Sequence, residues 1–213
     1  MFEQVNKLVA QATINPQTAV HARRGSMLGY EGRVGFQPLT GQGQGMAGRA
    51  AAMFTNESNP MMLATGNGKV FYGYRGMYVD VINLDGSSPF TTEADRLLAH
   101  TAGVQTSVEV IGQGGVRAAV AGMASGQGLF TTKISGAGQI VVLSHGGMFP
   151  LEVNGNVVGV DPQAYVGHSG NLRVEFKAKV GFRDVTGRGS GEAFQLHISG
   201  QGTVYVQASE QKF

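Results

Sequence analysis

The chain has 213 residues, of which 34 are glycine, 14% are charged and none is cysteine, and its formal net charge is +2. A hydrophobic share of 42% excludes a disordered chain, and the glycines lack the strict three-residue period of collagen. Without cysteine the chain has no disulfide, thiol nucleophile or thiolate metal site. The small positive charge is below what nucleic-acid binding usually requires.

Helix signals are weak, and we expect no more than one or two helical turns at residues 2–11 and again at residues 92–100. The N-terminal residues lack the apolar core of a secretory signal, and no apolar stretch is long enough to span a membrane. These features favour a cytoplasmic protein without a membrane span.

A pattern of an apolar-rich run, a Gly-x-Gly step and a second β-prone run occurs at residues 60–72, 130–142 and 194–206. Because glycine adopts positive φ at little cost, each Gly-x-Gly step predicts the tight turn of a β-hairpin. The glycines that we expect to form structural turns are Gly25, Gly66, Gly68, Gly136, Gly138, Gly200 and Gly202.

The similarity extends beyond these segments. Gly66 and Gly136 are 70 residues apart, and His100 and His168, each followed by a small hydroxylic residue, are 68 apart. Such a period with strands inside it is typical of duplicated β units. We predict repeats at about residues 41–110 and 112–180 and a remnant at 187–209.

Short β-prone runs between glycine-rich turns predict an all-β fold of stacked sheets, a sandwich or β-roll, in a single compact domain over residues 1–213. Residues 171–177 and 203–207 alternate apolar and polar side chains, as half-buried strands do. The Asn154-Gly155 step predicts a further hairpin.

The adjacent residues Met61 and Met62 lie in one predicted strand, where successive side chains point to opposite faces of the sheet. Both are apolar, so both faces are expected to be covered. We therefore expect a subunit contact at this strand.

Two glycine-rich segments, residues 41–45 and 112–115, resemble phosphate-binding loops. A dinucleotide site needs a strand before the loop and a helix after it, and neither segment is followed by a helix signal or by Gly-Lys-Ser/Thr. We interpret both segments as connections between strands.

The five histidines are isolated in the sequence, and His100 and His168 occupy the same place in the two predicted repeats. A duplicated turn in which the ring bonds a backbone group explains this placement, and a metal site would need the two copies to face each other. The carboxylate pairs Glu93/Asp95 and Asp161/Glu175 are interpreted as solvated surface groups. The sequence therefore predicts no catalytic residue, no metal and no cofactor.

Dispersed arginines form the remaining candidate site. With nearby tyrosines for stacking, they offer a surface for an anion or RNA, although most are expected to be ordinary solvated side chains. The candidate binding residues are Arg23, Arg24, Arg49 and Arg75.

Three segments now carry a family resemblance: residues 21–28 with 32–34, residues 128–138, and residues 198–207. In order and spacing they resemble the altered-inheritance-of-mitochondria 24 family, from Val20 to Ala208. The resemblance implies a domain similar to the tryptophan RNA-binding attenuator protein, with internal pseudosymmetry and a ring-like homotrimer. The family's eukaryotic members resemble mitochondrial inner-membrane organisation factors, and its bacterial members are largely of unassigned function.

Three functions remain open. The absence of active-site chemistry favours a non-enzymatic oligomeric scaffold or interaction protein, a trimer with possible protein partners. Convergence of the arginines around a symmetry axis would favour a binding module for a small ligand or nucleic acid. Convergence of His100 and His168 with a carboxylate in one cavity would favour an enzyme.

Overall fold

The structure is a computed structural model that describes residues 1–39, 61–111, 129–178 and 194–210. These residues form strands, joined by turns and one short 3₁₀ helix at Ala94–Arg96. The strands are β1 (Phe2–Asn6), β2 (Val9–Ile14), β3 (Val20–Arg23), β4 (Met27–Pro38), β5 (Met61–Tyr72), β6 (Tyr78–Asp85), β7 (Phe90–Glu93), β8 (Leu97–Thr101), β9 (Gln105–Ile111), β10 (Leu129–Ser135), β11 (Ala137–Ser144), β12 (Met148–Asn154), β13 (Val158–Val160), β14 (Tyr165–Ala178) and β15 (Phe194–Gln207).

The strands form two sheets, and all their pairings are antiparallel. The first sheet has the order β1-β2-β5-β3-β8-β11-β6, with β4 on the other edge of β5. The second has the order β12-β15-β14-β7-β10-β9, with β13 also paired to β15. The predicted all-β fold is confirmed. The likeness to the attenuator protein and the single-domain limits stay predictions.

The prediction of helical turns at residues 2–11 is wrong, because this segment lies in the β1–β2 hairpin, with Phe2 opposite Ala12. Ala10, Ala12 and Ile14 are buried at alternate positions, and this period of two is that of a strand. The turn predicted at residues 92–100 is partly right, since Ala94–Arg96 forms the 3₁₀ helix between two strands.

The Gly-x-Gly steps do not form hairpin turns, and that prediction is wrong. Gly66 and Gly68 lie inside β5, and Gly200 and Gly202 lie inside β15. Gly136 lies where the chain leaves β10 in the second sheet and enters β11 in the first. Positive φ is nevertheless present, at +120° for Gly66, +99° for Gly136 and +117° for Gly200. Gly66 and Gly200 therefore bend long strands, and Gly136 redirects the chain from one strand to the next.

Close approach of the neighbouring strand explains why these bends need glycine. A Cβ on Gly66 would collide with the backbone oxygen of Arg33, and one on Gly200 with that of Asn171. Gly25 does form a turn, between β3 and β4, with φ +80°. The prediction of a hairpin at Asn154-Gly155 is wrong, because β12 and β13 do not pair with each other but follow one another along the same edge of β15.

Three groups of strands share one pairing pattern: unit 1 (β2–β5), unit 2 (β6–β11) and unit 3 (β12–β15). In units 1 and 3, two short strands line one edge of a bent central strand, and a partner strand lines the other edge. In unit 2 two strands take the central place: β11 pairs with β6 and β8, and β10 pairs with β7 and β9. Each partner strand has a register shift near its start. This grouping differs from the predicted repeat limits, since unit 1 begins at β2.

A buried polar clamp joins unit 2 to the last strand. Arg96 is fully buried, and its guanidinium donates to the Glu93 carboxylate at 2.8 Å and to the Gln207 side-chain oxygen. That oxygen also accepts from the His145 backbone N–H at 2.9 Å, while the Gln207 amide donates to the Gln163 carbonyl at 3.0 Å. The ends of β15 and β7 are thus held together by a buried polar network.

We expect Gly136→Val to lower the free energy of unfolding by about 2 kcal/mol or more, because a β-branched residue is strained at positive φ. Chemical denaturation measures the loss. The control is Ala137→Val, at the exposed neighbouring position. Equal stability of the two variants would contradict the assigned bend.

We expect Gln207→Ala to destabilise the protein by about 2–4 kcal/mol, because the mutation removes an amide that contacts a buried guanidinium. The matched control is Gln201→Ala, at an exposed position of the same strand. Thermal and chemical unfolding should separate the two variants, and similar losses would show that the clamp contributes little.

Candidate functional site

An exposed apolar segment lies at the start of β4. Met27, Leu28 and Tyr30 are 43%, 60% and 52% exposed. This segment, residues 27–31, has an outer edge that makes no strand pairing among the described residues, since β4 pairs with β5 alone. We name it the β4 edge.

Register identifies the counterparts of the β4 edge in the other units. Tyr30 lies opposite Val70, His100 opposite Ile140 and His168 opposite Val204. Val70, Ile140 and Val204 each lie four residues after a bend glycine, at Gly66, Gly136 and Gly200 respectively. Tyr30, His100 and His168 are therefore equivalent, as are the residues two positions earlier, Leu28, Leu98 and Val166.

The counterparts differ from the β4 edge in burial. Leu98 and Val166 are both fully buried, whereas Leu28 is mostly exposed. The reason is pairing between units: β8 of unit 2 pairs with β3 of unit 1, and β14 of unit 3 pairs with β7 of unit 2. Each unit thus covers the equivalent strand of the next one, and among the described residues no strand covers the equivalent strand of unit 1.

A matching open edge lies on unit 3. The strand β13 is the counterpart of β3 and β7, and in the described residues it pairs with β15 alone. Val157 is 61% exposed and Val158 half-buried, whereas the counterparts of Val158, Val20 and Phe90, are buried. We name residues 157–160 the β13 edge.

The equivalent histidines are structural. His100 Nδ1 lies 2.9 Å from the Thr101 carbonyl oxygen, which is the backbone bond that the sequence predicts. His168 Nδ1 instead lies 2.6 Å from the Tyr165 hydroxyl. Burial lowers the pKa of each ring to about 4, so both are neutral at pH 7. No group of three or more metal-ligating side chains occurs within the described ranges.

The candidate arginines do not form one cluster. Arg23 is buried, and its guanidinium donates to the Asp95 carbonyl at 2.7 Å. The guanidinium carbons of Arg23 and of the exposed Arg75 lie 4.4 and 5.1 Å from the centroid of the Tyr74 ring. Arg24 is exposed, and Arg49 lies outside the described residues. Among the three described candidates, Arg23 and Arg75 are brought together through contact with one tyrosine.

The other candidates are used in local contacts or fall outside the description. Glu93 pairs with Arg96, and the Glu175 carboxylate lies 2.6 Å from Arg173 and 3.1 Å from Lys177, which lowers its pKa. The glycine-rich segments 41–45 and 112–115 lie outside the described residues. Met61 and Met62 are both half-buried, and their subunit contact stays a prediction.

Sequence reasoning missed the two open edges. A signal was present, because residues 27–31, 97–101 and 165–169 share large side chains at the first two positions, a small third residue and an aromatic or histidine fourth. Aligning them on the bend glycines would have shown three equivalent strands.

A model of the family described as mitochondrial biogenesis AIM24 matches residues 2–209. The chain belongs to the AIM24 family. The family resemblance seen in the sequence is thereby confirmed. No curated protein matches the chain.

A crystal structure of the protein SPYM3_0169 from Streptococcus pyogenes has a similar fold, with a TM-score of 0.72 and 20% sequence identity. The match covers 98% of this AIM24 chain and 92% of the streptococcal one. In the part of this chain that the structure describes, no helix has the length and hydrophobicity needed to cross a membrane.

We expect stability to fall as the pH drops from 6.5 towards 4. His100 and His168 have lowered folded-state pKa values, so the unfolded chain binds more protons in this range. Their contribution is fully present above the unfolded pKa and is lost as the pH approaches the folded one. The free energy of unfolding, measured by denaturant titration, should decrease by a few kcal/mol.

The double variant His100→Leu/His168→Leu should lose most of this pH dependence, whatever its stability at pH 7. The matched control is His197→Leu, at a half-buried position of β15. An unchanged slope in the double variant would mean that other groups cause the acid sensitivity.

Proposed function

We propose that this AIM24 protein is a non-enzymatic β scaffold that assembles into an oligomer through its open strand edges. The observation that carries the proposal is the exposure of Leu28 at a position where Leu98 and Val166 are fully buried by the neighbouring unit. No described strand covers this apolar strand, although its two equivalents are buried, and a partner that covers it best explains the difference.

Strand-edge physics supports this proposal. An unpaired edge presents a row of backbone donors and acceptors, and soluble proteins usually blunt such edges with lysine, proline or a covering segment. The β4 edge instead carries Met27, Leu28 and Tyr30, all about half exposed. Exposed backbone polar groups beside contiguous apolar side chains mark a site for strand addition.

The non-enzymatic part of the proposal rests on how the titratable side chains are used. His100 and His168 are buried and bonded to neighbours, and Glu93 neutralises Arg96. None of these three groups is presented to a substrate. The family description concerns organelle biogenesis rather than a reaction, which agrees with a structural role. The family resemblance favours a homotrimer, and the absence of cysteine agrees with a cytoplasmic location.

One observation favours the alternative, a binding module for an anionic ligand. Arg23 and Arg75 both contact the Tyr74 ring, and Arg75 is exposed. A guanidinium over an aromatic face can still donate its N–H groups, because they point outward in the plane of the guanidinium. An anionic small molecule or nucleic acid retained by the wild type and lost in Arg75→Ser would raise this alternative above the scaffold.

We expect the wild-type protein to sediment as an oligomer at micromolar concentration and Leu28→Lys/Tyr30→Lys to sediment as a monomer. Both substituted side chains are more than half exposed, so the variant should fold. The control is Val5→Lys, at an exposed apolar position of β1. A monomeric wild type in sedimentation velocity and native mass spectrometry would contradict the scaffold.

A further inference from the structure

We propose that three adjoining turns of the first sheet form a binding site for a phosphate-bearing anion. The turns are residues 6–9 between β1 and β2, residues 23–26 between β3 and β4, and residues 73–77 between β5 and β6. We name them together the turn cluster. This site deepens the alternative binding role given above and does not depend on the oligomeric scaffold.

The three turns meet at Gly73. Its backbone N–H donates to the Ser26 carbonyl at 2.9 Å, which joins the second turn to the third. A Cβ added to Gly73 would lie 2.8 Å from the Leu8 carbonyl oxygen, so the first turn lies against the same residue. The Val79 N–H also donates to the Lys7 carbonyl at 2.9 Å. Because these contacts join backbone atoms, they fix the positions of the three turns relative to one another.

The turn cluster concentrates positive charge. It contains no acidic residue, and its cationic residues are Lys7, Arg23, Arg24 and Arg75. The net charge of the whole chain is only +2. Lys7, Arg24 and Arg75 are exposed. Arg23 is buried, and its guanidinium lies 3.9 Å from the Asp95 carboxylate. Neighbouring like charges raise the local concentration of anions, so an anionic ligand is favoured here.

Two tyrosine rings contact these cations. The guanidinium carbons of Arg23 and Arg75 lie 4.4 and 5.1 Å from the centroid of the Tyr74 ring. The Lys7 ammonium lies 5.6 Å from the centroid of the Tyr78 ring. Such cation–π contacts restrict the cationic side chains before a ligand arrives, which lowers the entropy cost of binding.

The backbone at Arg75 is an independent indication of a ligand. Arg75 has φ +47°, and no other non-glycine residue has positive φ in the part of the chain that the structure describes. Arg75 and Gly76 are the central residues of a turn in which the Met77 N–H donates to the Tyr74 carbonyl at 2.9 Å. Asparagine or glycine is preferred at the first of these positions. An arginine that is kept there despite the strain is best explained by a ligand that its guanidinium binds.

A phosphate group suits this arrangement better than a carboxylate does. Arginine binds phosphate through paired N–H···O bonds. A phosphate monoester carries about two negative charges at pH 7 and three acceptor oxygens, whereas a carboxylate has one charge and two oxygens. Exposed cations on adjoining turns can therefore share one phosphate or pyrophosphate group. Soluble phosphate compounds and lipid headgroups both carry such a group.

Isothermal titration calorimetry with inorganic pyrophosphate tests the site. We expect the wild type to bind, more weakly at high ionic strength, and Arg75→Asn to bind at least about 10-fold more weakly than the wild type. The matched control is Arg33→Gln, which removes the same charge from an exposed position of β4 outside the turn cluster. A wild type that does not bind millimolar pyrophosphate would overturn the site, and so would an equal loss of affinity in both variants.

Stability measurements separate ligand binding from a structural role of Arg75. Asparagine tolerates positive φ better than arginine does, so Arg75→Asn should unfold at the same or a higher denaturant concentration than the wild type. Weaker binding without a loss of stability would support ligand recognition by Arg75. A variant that loses stability and binding together would contradict the proposal.

A second variant tests whether the turns share the ligand. Arg24→Gln changes an exposed residue of a different turn and should also weaken pyrophosphate binding several-fold. Unchanged binding in this variant would overturn a site shared between turns.

Vesicles distinguish the two sources of phosphate. Co-sedimentation with phosphatidylcholine vesicles that contain phosphatidic acid, reversed by excess pyrophosphate, would support the site and identify a lipid headgroup. Pyrophosphate binding without vesicle binding would support it and identify a soluble phosphate compound. A monomeric wild type that binds pyrophosphate would overturn the scaffold alone, and an oligomeric wild type that does not bind it would overturn the phosphate site alone.

Discussion

The bend at one glycine in the central strand of each unit is the constraint on which the fold depends. At Gly66 and Gly200 a Cβ would collide with the carbonyl oxygen of the partner strand, so only glycine permits the strands to lie this close. The bend lets two short strands follow one another along the same edge. In unit 2 it also carries the chain from one sheet into the other. The pairings between units, β3 with β8 and β7 with β14, follow from this geometry.

The burial and protonation of equivalent side chains depend on whether a neighbouring unit covers them. Tyr30, His100 and His168 occupy equivalent positions, yet only the two that an adjoining strand covers are buried. Burial keeps those two rings neutral, so each is a packing element that bonds one local oxygen. The chemistry of the position is therefore set by whether another unit lies against it.

The all-β class could be predicted because glycine content and β-prone runs act locally, and so could the positive φ at Gly136. The direction of the chain after each glycine could not be predicted, because the same φ is compatible with a hairpin turn and with a bend. Which of the two forms depends on pairing with strands that are distant in sequence. The burial of Arg23 was equally hidden, because its partners Tyr74 and Asp95 lie more than 50 residues away. The open edges depend on pairing between units, which no single segment encodes.

The clamp at Arg96 has a consequence for how the chain acquires its structure during synthesis. Its guanidinium lies in the middle of the sequence and is fully buried, but the Gln207 amide that binds it comes 111 residues later. Without β15 the buried guanidinium would keep its pair with Glu93 but lose that amide, which is unfavourable in a low-dielectric core. We therefore expect the interior of unit 2 to reach its final packing only when β15 is in place.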